Sequence, residues 1–270
     1  VQRAKLQKLK SIISGMQSVL VAYSGGLDST FLLAVALEAL GRKNVLAVNA
    51  LSETYPAHEA RSAQKIAKKL GARLIKIQSG ELENPEFVKN PPDRCYHCKK
   101  ELFSRLLAVA KKQHIAQVVD GTNVDDDSDY RPGSRAAHEL GIRSPLKEAG
   151  ITKAEICSLS RKMKLPTWDK PSYACLASRF PYGTKITKDI LRRLDEGENY
   201  LRKLGFRQVR ARHHGNMVRI ELGEGWRPAR SLFPKIVKKF KSLGYTYITL
   251  DLEGYRTGSM NAEIQAKNKG

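Results

Sequence analysis

The sequence predicts an α/β protein, a parallel sheet covered by helices and followed by a second, smaller α/β unit. Three observations carry this reading. Short apolar runs alternate with helical patterns through residues 18–164, which is the signature of strand–helix–strand units. A glycine-rich turn directly follows the first apolar run. Prolines at 166, 171 and 181 then break the chain, and the pattern beyond them changes to paired alternating strands.

Taken in order, residues 2–16 read as a surface helix, and SVLVAYS (18–24) as a short buried strand. FLLAVALEAL continues as a helix that Gly41 stops, since glycine tolerates the left-handed cap conformation. VLAVNA (45–50) is a second buried strand, and 56–71 is a helix that begins at a proline and ends at a glycine. RLIKIQ (73–78) is the third strand. The stretch 80–94 is irregular, with Pro85, Pro91 and Pro92. A helix over 95–113, the strand AQVVDG (116–121) and the acidic loop 122–133 follow. Ligands of open α/β sheets sit at such C-terminal strand edges. A short helix (134–140) and a strand-like IRSP (142–145) lead to Thr152 and Glu155, the capping-box pair of a helix running through Lys164. Beyond the proline-rich junction at 165–184 come a charged helix (187–204), two strands around a Gly215-Asn216 turn, a helix (228–243) and the strand YTYITLD (245–251). The expected domains are residues 1–168 and 169–270, with the active site in the cleft between them.

The length of 270 residues allows one large or two modest cores. A hydrophobic fraction of 41% and a charged fraction of 28% describe a folded chain, not a disordered one. No apolar run approaches the length of a membrane-spanning helix. The opening VQRAKLQKLK has no apolar leader, so a cytoplasmic location is expected. Lys and Arg number 48 against 27 Asp and Glu, a formal charge of +21. That excess favours anionic partners without choosing among nucleotides, RNA and acidic proteins, and a lysine-rich solvated surface would produce it equally well.

Ser24-Gly25-Gly26-Leu27-Asp28-Ser29-Thr30 is the strongest motif. Glycines after a buried strand let backbone approach a ligand closely. The N–H groups of the following helix face the same point and make an anion site. Ser24, Ser29 and Thr30 add hydroxyls. Asp28 would repel phosphate unless a Mg²⁺ ion lies between them. The pattern is neither a Walker loop nor GxGxxG.

The four cysteines are Cys95, Cys98, Cys157 and Cys175. Cys95 and Cys98 open a helix, a position that suits redox or ligand roles. With Cys175 they could hold an iron–sulfur cluster, or zinc with a fourth ligand. They could equally be a redox dithiol with a separate thiol, or three inert thiols. His97 lies between the pair, in poor geometry for the same metal. Cys157 falls on an apolar helix position and reads as a packed core thiol.

The loop SGGLDST after a first strand resembles the PP-loop ATP pyrophosphatases, which cleave ATP between the α and β phosphates and adenylate a carbonyl or carboxylate oxygen. The resemblance implies that Ser24, Gly25, Gly26, Asp28, Ser29 and Thr30 hold pyrophosphate and magnesium. It also implies the fold, an adenine nucleotide alpha hydrolase-like parallel sheet domain with a small C-terminal α/β domain. DRCYHCKKELFS, DGTNVDDDSDYRPG, SPL, KPSYACLASRFPYGTKIT, VRARHH and DLEGYRTGSMN together resemble the LarE family over nearly the whole chain. Members are ATP-dependent sulfur transferases in biosynthesis of the nickel-pincer nucleotide cofactor of lactate racemase. They adenylate the carboxylates of pyridinium-3,5-dicarboxylic acid mononucleotide and convert them to thiocarboxylates. One kind sacrifices a protein cysteine, which becomes dehydroalanine. The other binds a [4Fe-4S] cluster through three cysteines and uses exogenous sulfide. This chain resembles the second kind, with Cys95, Cys98 and Cys175 as ligands, because the sacrificial position corresponds to Ala174.

Other candidates follow from strand periodicity and from the same resemblance. Arg210 and Arg212 share a strand face and could clamp an oxyanion, with Glu221 opposite, although plain solvent exposure would give the same pattern. Arg179, and Arg256 with a nest at Gly258 and Ser259, are further phosphate candidates. Asp120 and Asn123 could touch magnesium or ribose. Asp125, Asp126 and Asp127 could be a solvated loop, with Asp129 and Arg131, flanking Tyr130, better placed for the site. His213 and His214 point to opposite strand faces. Trp168, Tyr173 and Phe180 are expected to pack the domain junction.

The expected cofactors are a [4Fe-4S] cluster, ATP and Mg²⁺. The expected partners are a nucleotide with two carboxylates, an exogenous sulfide donor and further copies of the chain. No membrane or nucleic acid partner is expected. A cluster-dependent PP-loop tRNA thiolation enzyme is the alternative. The charge suits RNA, but no KH, zinc-ribbon or RRM-like module is visible. An amidating ligase of the NAD synthetase type leaves the cysteines unexplained, and a non-enzymatic nucleotide binder leaves Asp28 without work.

Overall fold

The computed structural model describes residues 2–128, 132–171, 174–223, 227–256 and 259. The chain packs as two compact units, Val1–Phe87 with Asp93–Tyr173, and Val88–Pro92 with Ala174–Gly270.

The first unit begins with α1 (Gln2–Ser14), β1 (Val19–Ala22), α2 (Leu27–Leu40), β2 (Val45–Leu51), α3 (Ala57–Lys69) and β3 (Arg73–Gln78). After a one-turn α4 (Pro85–Val88) come α5 (Arg94–Lys112), β4 (Gln117–Val119), α6 (Gly133–Glu139), α7 (Pro145–Glu148) and α8 (Lys153–Lys162). The four strands form a parallel sheet in the order β3-β2-β1-β4. The side chains of β1 and β2 explain why both faces are covered. Val19, Val21, Val45 and Ala47 enter one apolar cluster with residues of α1, α2 and α8. Leu20, Leu46 and Val48 enter another with Phe103, Leu106 and Ala110 of α5. Strand side chains alternate between faces, and here each face meets apolar partners, so the strands read as unbroken apolar runs.

The strand order reverses beside β1. The chain runs outward from β1 through β2 to β3 and then returns to place β4 on the other side of β1. The loops after β1 and β4 therefore diverge at a topological switch point, where open α/β sheets bind ligands.

The second unit contains α9 (Lys188–Lys203), β5 (Val209–His214), β6 (Met217–Leu222), α10 (Phe233–Ser242) and β7 (Tyr247–Leu250). β5 and β6 form the expected antiparallel hairpin, and β7 joins β6 in parallel. Residues 88–92 pack with this unit through backbone bonds from Ile186 N–H to the Val88 carbonyl and from Gly183 N–H to the Asn90 carbonyl, both 2.9 Å.

Three sequence expectations need correction. IRSP is not a strand: Arg143 makes only an isolated bridge to Val119, and Pro145 already starts α7. The helix expected over 228–243 is a 3₁₀ segment (Arg227–Leu232) followed by α10, because Pro234 sits at the helix start, where its missing N–H costs nothing. Trp168 is 37% exposed instead of packed away, with the Arg161 guanidinium 5.0 Å from its ring. No helix among the described residues is long and apolar enough to cross a membrane.

Candidate functional site

The loop between β1 and α2 is shaped by one close approach. Gly25 has φ +68°, and a Cβ there would lie 2.5 Å from the Cβ of Ala63 on α3. Only glycine fits both the left-handed backbone and the contact. The Ser24 and Ser29 hydroxyls are 3.0 Å apart, and Tyr55 donates its hydroxyl to the Ser24 carbonyl at 2.6 Å. Burial pushes the Tyr55 phenol well above its ordinary range, so it stays a neutral donor. Ser29 and Thr30 are buried in the first turn of α2. No side chain caps α2 at Gly26. The N–H groups of Leu27, Asp28 and Ser29 precede the first intrahelical bond, from Thr30 N–H to the Gly26 carbonyl at 3.0 Å, and are left for an anion.

Gly121, just past β4, closes the other side. A Cβ there would lie 3.1 Å from the Ser29 nitrogen, so the β4 loop rests directly on the start of α2. Asp120 organises that loop. Its carboxylate accepts from the Thr122 N–H (3.1 Å), the Thr122 hydroxyl (2.7 Å) and the Ser144 hydroxyl (2.7 Å). Asn123 is buried and bonded to Asp125 and Asp126. Asp125 also accepts the Lys153 N–H at 2.7 Å, so this acidic stretch builds the loop instead of being merely solvated. Asp129, Tyr130 and Arg131 lie outside the described residues, as do Tyr173 and Gly258. Of the Asp127 side chain nothing is described.

Two lysines absent from the sequence candidates converge on the loop. Lys153, the first residue of α8, pairs with Asp28 Oδ2. Lys170 donates to the Gly25 carbonyl (3.0 Å) and to Glu59 (2.6 Å). Burial alone would raise the Glu59 carboxyl, but bonds from His58 and Lys170 outweigh it and hold it below its ordinary value. The one sequence signal was that Lys170 opens the KPSYAC segment. Asp28 Oδ1 is buried with no hydrogen-bond partner. A carboxylate oxygen left unpaired beside an anion-binding loop is the donor a Mg²⁺ ion would use.

Cys95 lies in the first turn of α5 and Cys98 at the start of the second, spaced by three and so on one helix face. Cys95 is exposed. The Cys98 thiol donates to Glu81 at 3.2 Å, a buried carboxylate that also accepts from Ser52 (2.8 Å), Thr54 and Ser79 (3.4 Å). His97 turns to Asp93, 3.7 Å away. Cys157 is partly buried against the core and donates to the Trp168 carbonyl at 3.0 Å. Among the described residues no three His, Cys, Asp or Glu side chains already converge as a metal site. In donor chemistry, accessible thiols suit an iron–sulfur cluster, because thiolates are soft ligands.

In the second unit, Cys175 is exposed and precedes a 3₁₀ turn, Leu176–Arg179. Arg179 is fully buried. It pairs with Glu198 through two bonds (2.8 and 3.0 Å) and donates to the carbonyls of Ala174 (2.7 Å) and Cys175 (2.9 Å). Its guanidinium thus pins the backbone of the cysteine-bearing turn, where sequence had suggested a phosphate contact. Burial would raise the Glu198 carboxyl, yet Arg179, Arg202 and Arg210 hold it down at about 2. It also accepts the Ala211 N–H at 3.1 Å, which closes the free edge of β5.

One face of the small sheet is charged. Arg210 stands opposite Glu221, and Arg212 opposite Arg219. Arg210, Arg212 and Glu221 are buried, so solvent exposure is not the reason for their alternation. Arg212 grips Glu221 with two bonds (2.9 and 2.7 Å) and donates to the Ser259 hydroxyl at 2.9 Å. Arg210 lies 4.9 Å from the Tyr255 ring. Arg256 is 2.6 Å from Glu253 and 3.8 Å from Asp251. His213, on the opposite face, lies 3.3 Å from the Tyr245 hydroxyl, and burial lowers its pKa.

A family model described as NAD synthase matches residues 4–89, the stretch from within α1 through α4 that contains the loop. A pyridinium-3,5-bisthiocarboxylic acid mononucleotide synthase of Lactiplantibacillus plantarum is 40% identical over 258 residues, covering 95% of this chain and 94% of that protein. Uncharacterised proteins of Synechocystis and Methanocaldococcus jannaschii are 42% and 31% identical, over 96% and 94% of this chain and 97% and 98% of theirs. The chain belongs to the family of that synthase, within the PP-loop ATP pyrophosphatases.

Proposed function

We propose that the protein is an ATP-dependent sulfur transferase acting on pyridinium-3,5-dicarboxylic acid mononucleotide. The observation that carries this is the match to the synthase along almost its entire length. The uncapped start of α2 supports it, since a polyphosphate is the ligand that loop is shaped to take.

In this reading a substrate carboxylate oxygen attacks the α-phosphorus of ATP. The bond to the β-phosphate oxygen breaks and pyrophosphate leaves. Sulfide then attacks the acyl carbon, the bond to AMP breaks, and a thiocarboxylate remains. No electrons are gained or lost. The loop Ser24–Thr30 binds and orients the phosphates. Asp28 would hold Mg²⁺ through its unpaired oxygen. Arg210, Arg212 and Arg256 bind the phosphate and carboxylate of the acceptor, and Glu221 keeps Arg212 aimed. Arg179 fixes the Cys175 turn. Cys95, Cys98 and Cys175 would hold the [4Fe-4S] cluster, which when bound supplies a soft site for a hydrosulfide. The location is cytoplasmic in this account, and the protein retains its cysteines.

The test is anaerobic reconstitution with iron and sulfide, followed by mass spectrometry of product and protein. Thiocarboxylate formed over several turnovers with the protein mass unchanged is the expected result. Loss of about 34 Da, the mass of H₂S, from a cysteine would overturn the catalytic use of exogenous sulfide, because the sulfur would then have left the protein irreversibly.

A further inference from the structure

Consecutive carbonyls at the end of β1 and in the loop that follows are each claimed by a donor. The Asn49 amide donates to the Tyr23 carbonyl (2.8 Å), the Tyr55 hydroxyl to that of Ser24 (2.6 Å), the Lys170 ammonium to that of Gly25 (3.0 Å) and the Thr30 N–H to that of Gly26 (3.0 Å). In a trans peptide the carbonyl and the next N–H point in opposite directions, so a donor on one side aims the N–H to the other. The Gly25 carbonyl matters most. Its peptide plane lies between two residues without a Cβ, and such a plane turns over at little steric cost. With that carbonyl on Lys170, the Gly26 N–H faces the Ser24 hydroxyl at 3.4 Å, where the Ser24 and Ser29 hydroxyls meet.

Lys170 brings this clamp with almost no net charge. Glu59 accepts from it at 2.6 Å, and only 17% and 10% of the two side chains are exposed. His58 stands 3.4 Å from the other Glu59 oxygen, so the carboxylate is steadied from two sides. What the neutralised pair contributes to the loop is direction. We propose that Lys170 is a positioning residue of the polyphosphate site, which holds the Gly25–Gly26 peptide with its N–H turned to the anion before nucleotide arrives. Without the clamp, phosphate binding itself has to order that plane, and affinity falls accordingly. This inference rests on the ATP reading above.

The test removes the clamp without changing the charge. Lys170→Met combined with Glu59→Gln loses one cation and one anion together and strands no buried carboxylate. Calorimetric affinity for pyrophosphate with Mg²⁺ should fall about tenfold or more, the worth of a hydrogen bond from a charged group. Its salt dependence should stay as in the wild type, because net charge is unchanged. Glu59→Gln alone keeps the donor to Gly25 and should bind pyrophosphate at least as well as the wild type. In ¹⁵N-glycine-labelled, ligand-free protein, relaxation dispersion should appear at the Gly26 amide of the double variant, be absent from the wild type, and vanish when pyrophosphate saturates the site. Pyrophosphate affinity of the double variant within twofold of the wild type would overturn the proposal. So would an affinity loss with the ligand-free Gly26 amide undisturbed, or a loss as large in Glu59→Gln alone. Wild-type protein that binds neither ATP nor pyrophosphate would sink the ATP reading itself, a result distinct from these.

Discussion

Replacing Gly25 by alanine tests whether the loop is fixed by steric necessity. The new Cβ would sit 2.5 Å from the Ala63 Cβ and 2.8 Å from its Cα, with backbone on one side and little room to yield. Overpacking of this kind costs about 1–3 kcal/mol. The left-handed φ of +68° adds about 1–2 kcal/mol for a residue with a Cβ. Stiffening of the unfolded chain returns about 0.4–1 kcal/mol. The net expectation is a loss of about 2–4 kcal/mol, a large share of a typical stability of about 5–15 kcal/mol. Gly26 is the internal control. Its φ of −79° suits any residue, and a Cβ would meet only the Ser24 hydroxyl at 3.4 Å. Gly26→Ala should stay within about 1 kcal/mol of wild type. Urea unfolding followed by circular dichroism measures both. Equal midpoints for the two variants would refute the argument that Gly25 is dictated by its contact with α3.

Arg179→Met should cost about 3–5 kcal/mol because it strands the buried Glu198 carboxylate, and adding Glu198→Leu should recover much of that, as read by urea midpoints. Glu198 titrates at about 2 when folded, against an ordinary glutamate value of 4.5, so its contribution is present above pH 4.5 and lost as pH falls toward 2; the loss is roughly 3 kcal/mol in an acid titration of stability, and Glu198→Gln should flatten it. His213 has a lowered folded pKa, so stability should be full above the unfolded value near pH 6.5 and decline below it, a slope that His213→Phe removes. Arg212→Ala should lower kcat/KM for the acceptor nucleotide at least tenfold, about 1.4 kcal/mol, whereas salt-sensitive binding and turnover of tRNA would point to RNA as substrate instead. Cys95→Ala, Cys98→Ala or Cys175→Ala should each abolish iron retention after reconstitution, and Cys157→Ala should not, since its thiol is engaged with the Trp168 carbonyl.

The loop and the parallel sheet were legible because local sequence dictates them. SGGLDST places its glycines and hydroxyls on one turn, and β1 and β2 are apolar on both faces because both faces are covered. Lys153 and Lys170 were not legible. Each reaches the loop through tertiary placement; among 48 basic residues Lys153 is not marked by its neighbours, and Lys170 is marked only by opening the KPSYAC segment. Arg179 shows the opposite difficulty. It stands close to a cysteine and reads as a ligand contact, but its partner Glu198 lies a helix away in sequence, and the bond between them only packing reveals. The alternation of Arg210, Arg212 and Glu221 disclosed a shared strand face but not its burial, since period two is the same for a solvated face and a covered one.

The most direct measurement of the central claim is the fate of ATP. Phosphorus NMR of a reaction containing Mg²⁺, sulfide, reconstituted protein and pyridinium-3,5-dicarboxylic acid mononucleotide resolves the two possible cleavages. AMP and pyrophosphate in equal amounts, formed only when the acceptor is present, are the predicted outcome, because the proposed function has the loop hold the leaving pyrophosphate at the start of α2. ADP and orthophosphate, or ATP turnover indifferent to the acceptor, would contradict it.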